Sequence, residues 1–338
     1  MSFQTLKKLR VDIILCTVFA LLAFAANAIF SRLALASSST SLTPKAEEPI
    51  DVVSFITIRL LSATVVLTII VLVLAKNKKQ VSLSAIAKPA MESKPYNKSK
   101  GSWLSALMLF SYALCFSWAY ISLDTGTGAL VSIGALQLTL LTINLVTGHR
   151  LYRCEWLGGT IAFAGFLYLT IPSINLNTEN SNSFGFLLMV LAGMSWAVYT
   201  YQGKKSQDPL HDTAYNFIRT LPLVILLIIV YYSYSYWNNS LVFSLPLTGV
   251  WLAIISGAIT SALGYAAWYR ALSYLSIPQA AILHLLVPSI AALGGVVFIG
   301  ESISLRLIIS SMMILGGIAL SIIGRHHLSR HLRHTNQN

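Results

Sequence analysis

Two arginines stand inside long apolar runs, Arg59 in FITIRLL and Arg219 in YNFIRTL. A guanidinium set in hydrocarbon costs roughly 3 kcal/mol or more unless it is paired or hydrated. Its chemistry there is recognition: it can hold an anionic group in a water-filled cleft, or reach along its stem to headgroups and backbone carbonyls. Asn27, Gln137, Asn144 and His284 are further polar groups within apolar runs. Each needs a hydrogen-bond partner, which a neighbouring helix or a bound solute can supply. His284 is the member of this set able to exchange protons near neutral pH.

Aromatic residues gather at Trp118 and Tyr120, at Trp196, Tyr199 and Tyr201, and at Tyr265, Trp268 and Tyr269. Interface belts use the same residue types. Trp118, Trp196, Tyr199, Tyr265 and Trp268 are the candidate cavity walls, with flat apolar faces and an indole or hydroxyl donor on each.

Catalytic chemistry finds little support. Asp124-Thr125-Gly126 matches a short aspartic-protease string, but no second copy exists to make a carboxylate pair, and Asp124 reads as a helix N-cap. Gly203-Lys204-Lys205 lacks the other residues of a nucleotide loop. Cys16, Cys115 and Cys154 have no metal-ligand or disulfide spacing. No nucleophile, base and orienting group assemble, so neither an enzyme, a metal site nor a cofactor is expected.

The elements that must position these residues follow from composition. The chain has 338 residues, 56% of them hydrophobic and 10% charged, with mean hydropathy +0.71. Apolar runs of the roughly 20 residues that a bilayer demands recur from end to end. They predict helices near 11–36, 50–75, 102–122, 126–147, 154–172, 184–203, 212–235, 247–270, 277–299 and 304–324. Runs this long exclude the ~10-residue alternating strands of a barrel, so the fold class is all-α, a polytopic membrane protein. Lys7, Lys8 and Arg10 followed by Ala26-Asn27-Ala28 resemble a cleavable signal, but the run continues through Leu35 and predicts an uncleaved first helix.

The net charge of +12 is distributed as short basic segments between apolar runs, not as a nucleic-acid-binding face. Lys and Arg concentrate at the N-terminus, in the 76–100 loop with its seven Lys, at Arg150, Arg153, Lys204, Lys205 and Arg270, and in the 325–338 tail. These lie on one side of the predicted topology, which places both termini in the cytoplasm.

The two halves share spacing. Laying Gly148 on Gly300 carries Gly165 onto Gly317. The chain reads as two five-helix repeats, 11–172 and 184–324. Five is odd, so the second enters the membrane from the opposite side, and inverted repeats imply alternating access to a site near the midplane. Pro222 and Pro288 are the hinge candidates, since each removes a backbone donor where a helix can bend.

With the repeats placed, the stretches FAANAIFSRLAL (24–35), FSWAYISLDTGTGAL (116–130), AGMSWAVYTYQGKKS (192–206), ALGYAAWYRAL (262–272), AAILHLLVPSIAALGGVVFIGE (280–301) and ILGGIAL (314–320) resemble the EamA-type drug/metabolite transporter superfamily. The resemblance implies secondary transport, by export or exchange, of a small organic metabolite, amino-acid-like compound or drug across a bacterial inner membrane. Its implied partners are that solute, the bilayer and a coupling proton or ion, with no nucleic acid and no homo-oligomer indicated. Gly300-Glu301 matches the pair that commonly opens the last helix of each half, where the first half has Gly148-His149. A channel or a lipid-handling protein is the alternative reading of the same aromatic walls.

Overall fold

The computed structural model describes residues 3–36, 48–84, 101–148, 153–170, 182–203, 206–238, 243–272, 274–275 and 283–335. Lys204, Lys205, His149, Arg150, Pro278 and the 76–100 loop beyond Ser84 lie outside the described residues.

Among the described residues every regular element is a helix, and ten segments follow in order: α1 Phe3–Leu35, α2 Val52–Ser84, α3 Trp103–Ala119, α4 Thr125–Val146, α5 Arg153–Thr170, α6 Asn182–Gly203 and α7 Pro209–Trp237, then α8 Leu247–Leu272 and α9 Leu286–Ile299, and α10 Leu305–Thr335. Seven carry spans long and apolar enough to cross a membrane, and α3 and α9 are shorter apolar helices. Large apolar side chains such as Ile14, Leu72, Ile229 and Val297 point outward along the helices. A helix surface that is apolar on its exposed face as well as its packed face suits a lipid surround. The chain is an integral membrane protein.

Local sequence sets several boundaries. Ser102 caps α3 by accepting from the Ser105 amide at 3.0 Å. Asp208 accepts from His211 N–H at 3.3 Å, and Pro209 fills the first turn of α7, where its missing donor costs nothing. Asp124 is the N-cap residue of α4, as expected, but its side chain makes no cap bond. Glu301 supplies the cap instead, accepting from Thr125 N–H at 2.9 Å. Asp124 is turned toward Arg32, 3.6 Å away.

Packing pairs the helices in a reciprocal pattern. α1 lies against α8 and α9, while α6 lies against α3 and α4. α2 packs on α7, α4 on α9 and α5 on α10. Gly148 and Gly300 both adopt positive φ, 81° and 79°, a conformation that favours glycine. The α5–α10 crossing is close: a Cβ at Gly165 would meet Met313 and Ile314, and one at Gly317 would meet Ala162 and the Gly158 carbonyl. Gly158→Val forces branched carbon into the α10 backbone, and overpacking of this kind costs typically 1–3 kcal/mol. The expected result is a clear fall in the melting temperature of the detergent-solubilised protein, which scanning fluorimetry reads; an unchanged midpoint would contradict so close a crossing.

Two apolar cores result. One joins α1, α3, α4, α5, α6, α9 and α10. The other joins α2, α3, α7 and α8 with the end of α1 and Tyr199 of α6. Phe24 and Trp196 pack against both, so they mark the seam.

Of the two hinge candidates, Pro222 is inside an unbroken α7, whereas the helix is interrupted at Leu285, three residues before Pro288. Wider π turns occupy Ser256–Leu263 of α8 and Gly295–Ile299 of α9.

Candidate functional site

At the seam Arg59 is only 3% exposed. Its guanidinium carbon lies 5.4 Å from the Phe116 ring centre and 6.0 Å from that of Tyr112. Its Nη1 has no hydrogen-bond partner. Tyr112, Phe116 and Tyr120 recur every fourth residue on α3 and so share one face. From them a continuous set of rings crosses the molecule. Tyr112 meets Trp196 at 4.9 Å, and Trp196 meets Tyr199 at 5.2 Å and Tyr265 at 5.4 Å. Tyr265 meets Phe24 at 5.7 Å, and Phe24 meets His284 at 5.3 Å. Trp268 closes that corner, 5.1 Å from His284.

The π turn of α8 builds the polar wall. Ser256 donates to the Asn27 side-chain oxygen at 2.8 Å, and the Thr260 hydroxyl, which donates to the Ser256 carbonyl at 2.6 Å, lies 3.2 Å from the same oxygen. A Cβ at Gly257, in the same turn, would collide with the Arg59 carbonyl. Short π segments are frequent at functional sites because the widened turn re-aims side chains. Asn27→Ala leaves the buried Ser256 hydroxyl without its acceptor, at about 1–3 kcal/mol for such a loss, while Thr260 keeps the Ser256 carbonyl at 2.6 Å. The variant should therefore unfold at lower temperature, whereas a shift equivalent to under about 0.5 kcal/mol would show that the Ser256 hydroxyl finds another acceptor.

One end of this assembly is open. A recess of about 140 Å³ is lined by Ser105, Tyr199, Asp212, Thr213, Asn216 and Tyr269, among others. Asp212 accepts from Gly101 N–H at 2.9 Å and Asn216 from Ser102 N–H at 3.0 Å, which ties the start of α7 to the start of α3. Thr213 Oγ1 is 3.1 Å from the Tyr199 hydroxyl and 3.2 Å from that of Tyr269, so the floor of the recess is the edge of the ring set.

The other end of α3, about 25 Å away at 1.5 Å per residue, is shut. Arg32 at the end of α1 donates to the carbonyls of Tyr120 and Ile121 at 3.0 and 2.9 Å. Its Nε lies 3.4 Å from Glu301, an ion pair without hydrogen-bond alignment. Glu301, in the link between α9 and α10, also accepts from the Thr125 hydroxyl at 3.0 Å. Burial pushes the Glu301 carboxyl above its ordinary value, and the bonds from Thr125 pull it partly back.

The ring set unites Asn27, Arg59, Trp196, Tyr199, Tyr265, Trp268 and His284 of the expected residues. Trp118 packs into the second core without joining the rings. Gln137 is half-buried on α4. Arg219 stands 5.6 Å from the ring of Trp103, which is 59% exposed, so it belongs to the periphery. Phe24, Tyr112, Phe116, Ser256 and Thr260 join the site without having been singled out by sequence.

Residues 183–323 match the family model described as the EamA-like transporter family. An uncharacterised protein of Pseudomonas aeruginosa, PA1977, is 36% identical over 312 residues, 92% of this chain and 95% of that one. This chain belongs to the EamA-like transporter family. The EamA-like chain is also similar to the uncharacterised transporter YwfM of Bacillus subtilis, 27% identical over 66% of this chain and 70% of that one. A protein of Salmonella typhimurium named a probable amino-acid metabolite efflux pump is 23% identical over 63% of this chain and 72% of its own length. A crystal structure at 18% identity matches with TM-score 0.55 over 92% of the EamA-like chain and 97% of the other, a likeness of fold.

Proposed function

We propose that the chain is a secondary transporter that exports or exchanges a small organic metabolite or drug across a bacterial inner membrane by alternating access. The observation that carries this reading is the seam. A buried cation and a set of rings lie between two cores, with a recess at one end and a polar lock at the other. Such a site is reached from one side at a time if the cores repack.

Two inverted five-helix repeats supply the bistable frame. In their support, exchanging each helix of the first five for its counterpart in the second turns the α1–α8 and α1–α9 contacts into α6–α3 and α6–α4, both present. The same exchange maps Gly148 onto Gly300, which share a positive φ. The recess lies beside Gly101, next to the Lys-rich loop, so the positive-inside rule makes it the cytoplasmic mouth and puts both termini on that side. The described arrangement is then open inward and shut outward. The efflux name of the Salmonella relative supports export of an amino-acid-like compound, and His284, between Phe24 and Trp268, is the candidate for proton coupling.

Counterflow tests the reading. Proteoliposomes preloaded with a bacterial metabolite extract should take up isotope-labelled members of that extract saturably, with trans-stimulation. Counterflow of no compound, or ion conductance or lipid scrambling in its place, would overturn it in favour of a channel or lipid-handling role.

A further inference from the structure

The charge balance around Arg59 narrows the solute. Arg32 holds ion pairs with Asp124 and Glu301. Arg59 is buried to 97% and has a guanidinium nitrogen with no partner. Aromatic faces offset part of the cost of burying a cation, and the adjacent Tyr112 hydroxyl adds to that, but one donor stays unfilled. A planar guanidinium fork matches a carboxylate with two parallel hydrogen bonds.

The same surroundings offer little to an ammonium group. The Asn27 side-chain oxygen already accepts from the Ser256 hydroxyl and lies 3.2 Å from that of Thr260. The buried carboxylates on the neighbouring elements lie towards the helix ends. Asp51, two turns from Arg59 at the start of α2, accepts from Ser54 N–H through Oδ1 and has its Oδ2 without a partner. Asp212 accepts from Gly101 N–H and the Ser206 hydroxyl at the recess. Glu301 is held by Thr125. The rings around Arg59, those of Tyr112, Phe116, Trp196 and Tyr265, are neutral and present flat faces.

We infer that the solute is an organic monoanion, its carboxylate held by Arg59 and its flat apolar part lying among Tyr112, Trp196 and Tyr265. This rests on the transport reading above and replaces its amino-acid-like solute with a simple carboxylate: the site selects an anion over a zwitterion or a cation. The solute enters past Tyr199 and Tyr269, which separate the recess from the rings, and displaces no internal ion pair when it reaches Arg59.

The test uses the purified full chain in lipid nanodiscs and four probes of one shape: 3-phenylpropionate, its amide, 3-phenylpropylamine and L-phenylalanine. Tryptophan fluorescence, to which Trp196 contributes, reads binding. The acid should bind at least ~30-fold more tightly than each of the other three, the scale of a charge-assisted hydrogen-bonded pair. Arg59→Gln should bind acid and amide within about threefold of each other, while Arg59→Lys should restore a preference for the acid. Equal binding of acid and L-phenylalanine by the wild type, or an acid preference that survives in Arg59→Gln, overturns the assignment. If Arg59→Gln does not fold, the wild-type probe series and Arg59→Lys decide it. Binding of none of the four overturns the assignment alone, since counterflow of a whole metabolite extract tests transport separately.

Discussion

Trp196→Ala should transport at no more than about one thirtieth of the wild-type rate, the equivalent of losing ~2 kcal/mol of solute and ring contacts. Trp196 touches Tyr112, Tyr199 and Tyr265, so it joins the rings around Arg59 to those at the floor of the recess. Aromatic pairs contribute about 0.5–1.5 kcal/mol each beyond their packing, and three are lost together. Trp196→Phe keeps a ring in place and should retain most of the rate. Initial rates of counterflow, with a thermal melt to confirm folding, read the result. A fully active Trp196→Ala would remove the ring set from the solute's path.

Glu301→Ala should open the shut end. The substitution leaves Thr125 N–H, the Thr125 hydroxyl and the Arg32 guanidinium without the group that draws them together. Losing hydrogen bonds to a charged group costs about 1.5–3 kcal/mol, which moves a two-state equilibrium by roughly tenfold to a hundredfold. Glu301→Gln keeps an acceptor for Thr125 and should hold most of the lock. The pH dependence has a definite sign. Burial raises the carboxyl's pKa in the shut arrangement, and a solvated Glu301 in an opened one returns to its ordinary value. The shut arrangement therefore binds the proton more tightly. Its advantage is complete below the ordinary carboxylate pKa and is lost as pH rises through the raised one. Acidifying the outer face should close this end, and Glu301→Ala should abolish that response.

These two predictions draw on features that differ in how far sequence reveals them. The helices were legible because bilayer thickness fixes an apolar length, which seven of the ten carry in full. Arg59 was legible because a cation in an apolar run demands a reason. Arg219 sits in nearly the same local wording yet faces Trp103 at the rim. A window of sequence reports depth along a helix and not the direction a side chain faces. Tyr112, Phe116 and Tyr120 had the right four-residue spacing but were diluted in a run where apolar residues occupy every face. The lock was hidden for another reason: Thr125 and Glu301 are 176 residues apart, and only the packing of α4 against α9 brings them together. The π turns at 256–263 and 295–299 have no sequence signature beyond nearby glycines.

Alternating access is tested most directly by labelling both ends of the cleft in one membrane preparation. With Cys16, Cys115 and Cys154 replaced by serine, Gln202→Cys reports the recess and Ala129→Cys, buried one turn below Thr125, reports the shut end. A membrane-impermeant maleimide is applied to each face in turn, with and without Glu301→Ala. Reciprocal change is the predicted result: labelling at Ala129→Cys rises by roughly tenfold or more from the outer face as labelling at Gln202→Cys falls from the inner one. Labelling that rises at Ala129→Cys while Gln202→Cys stays fully reactive would mean a continuous pore, and would contradict the account.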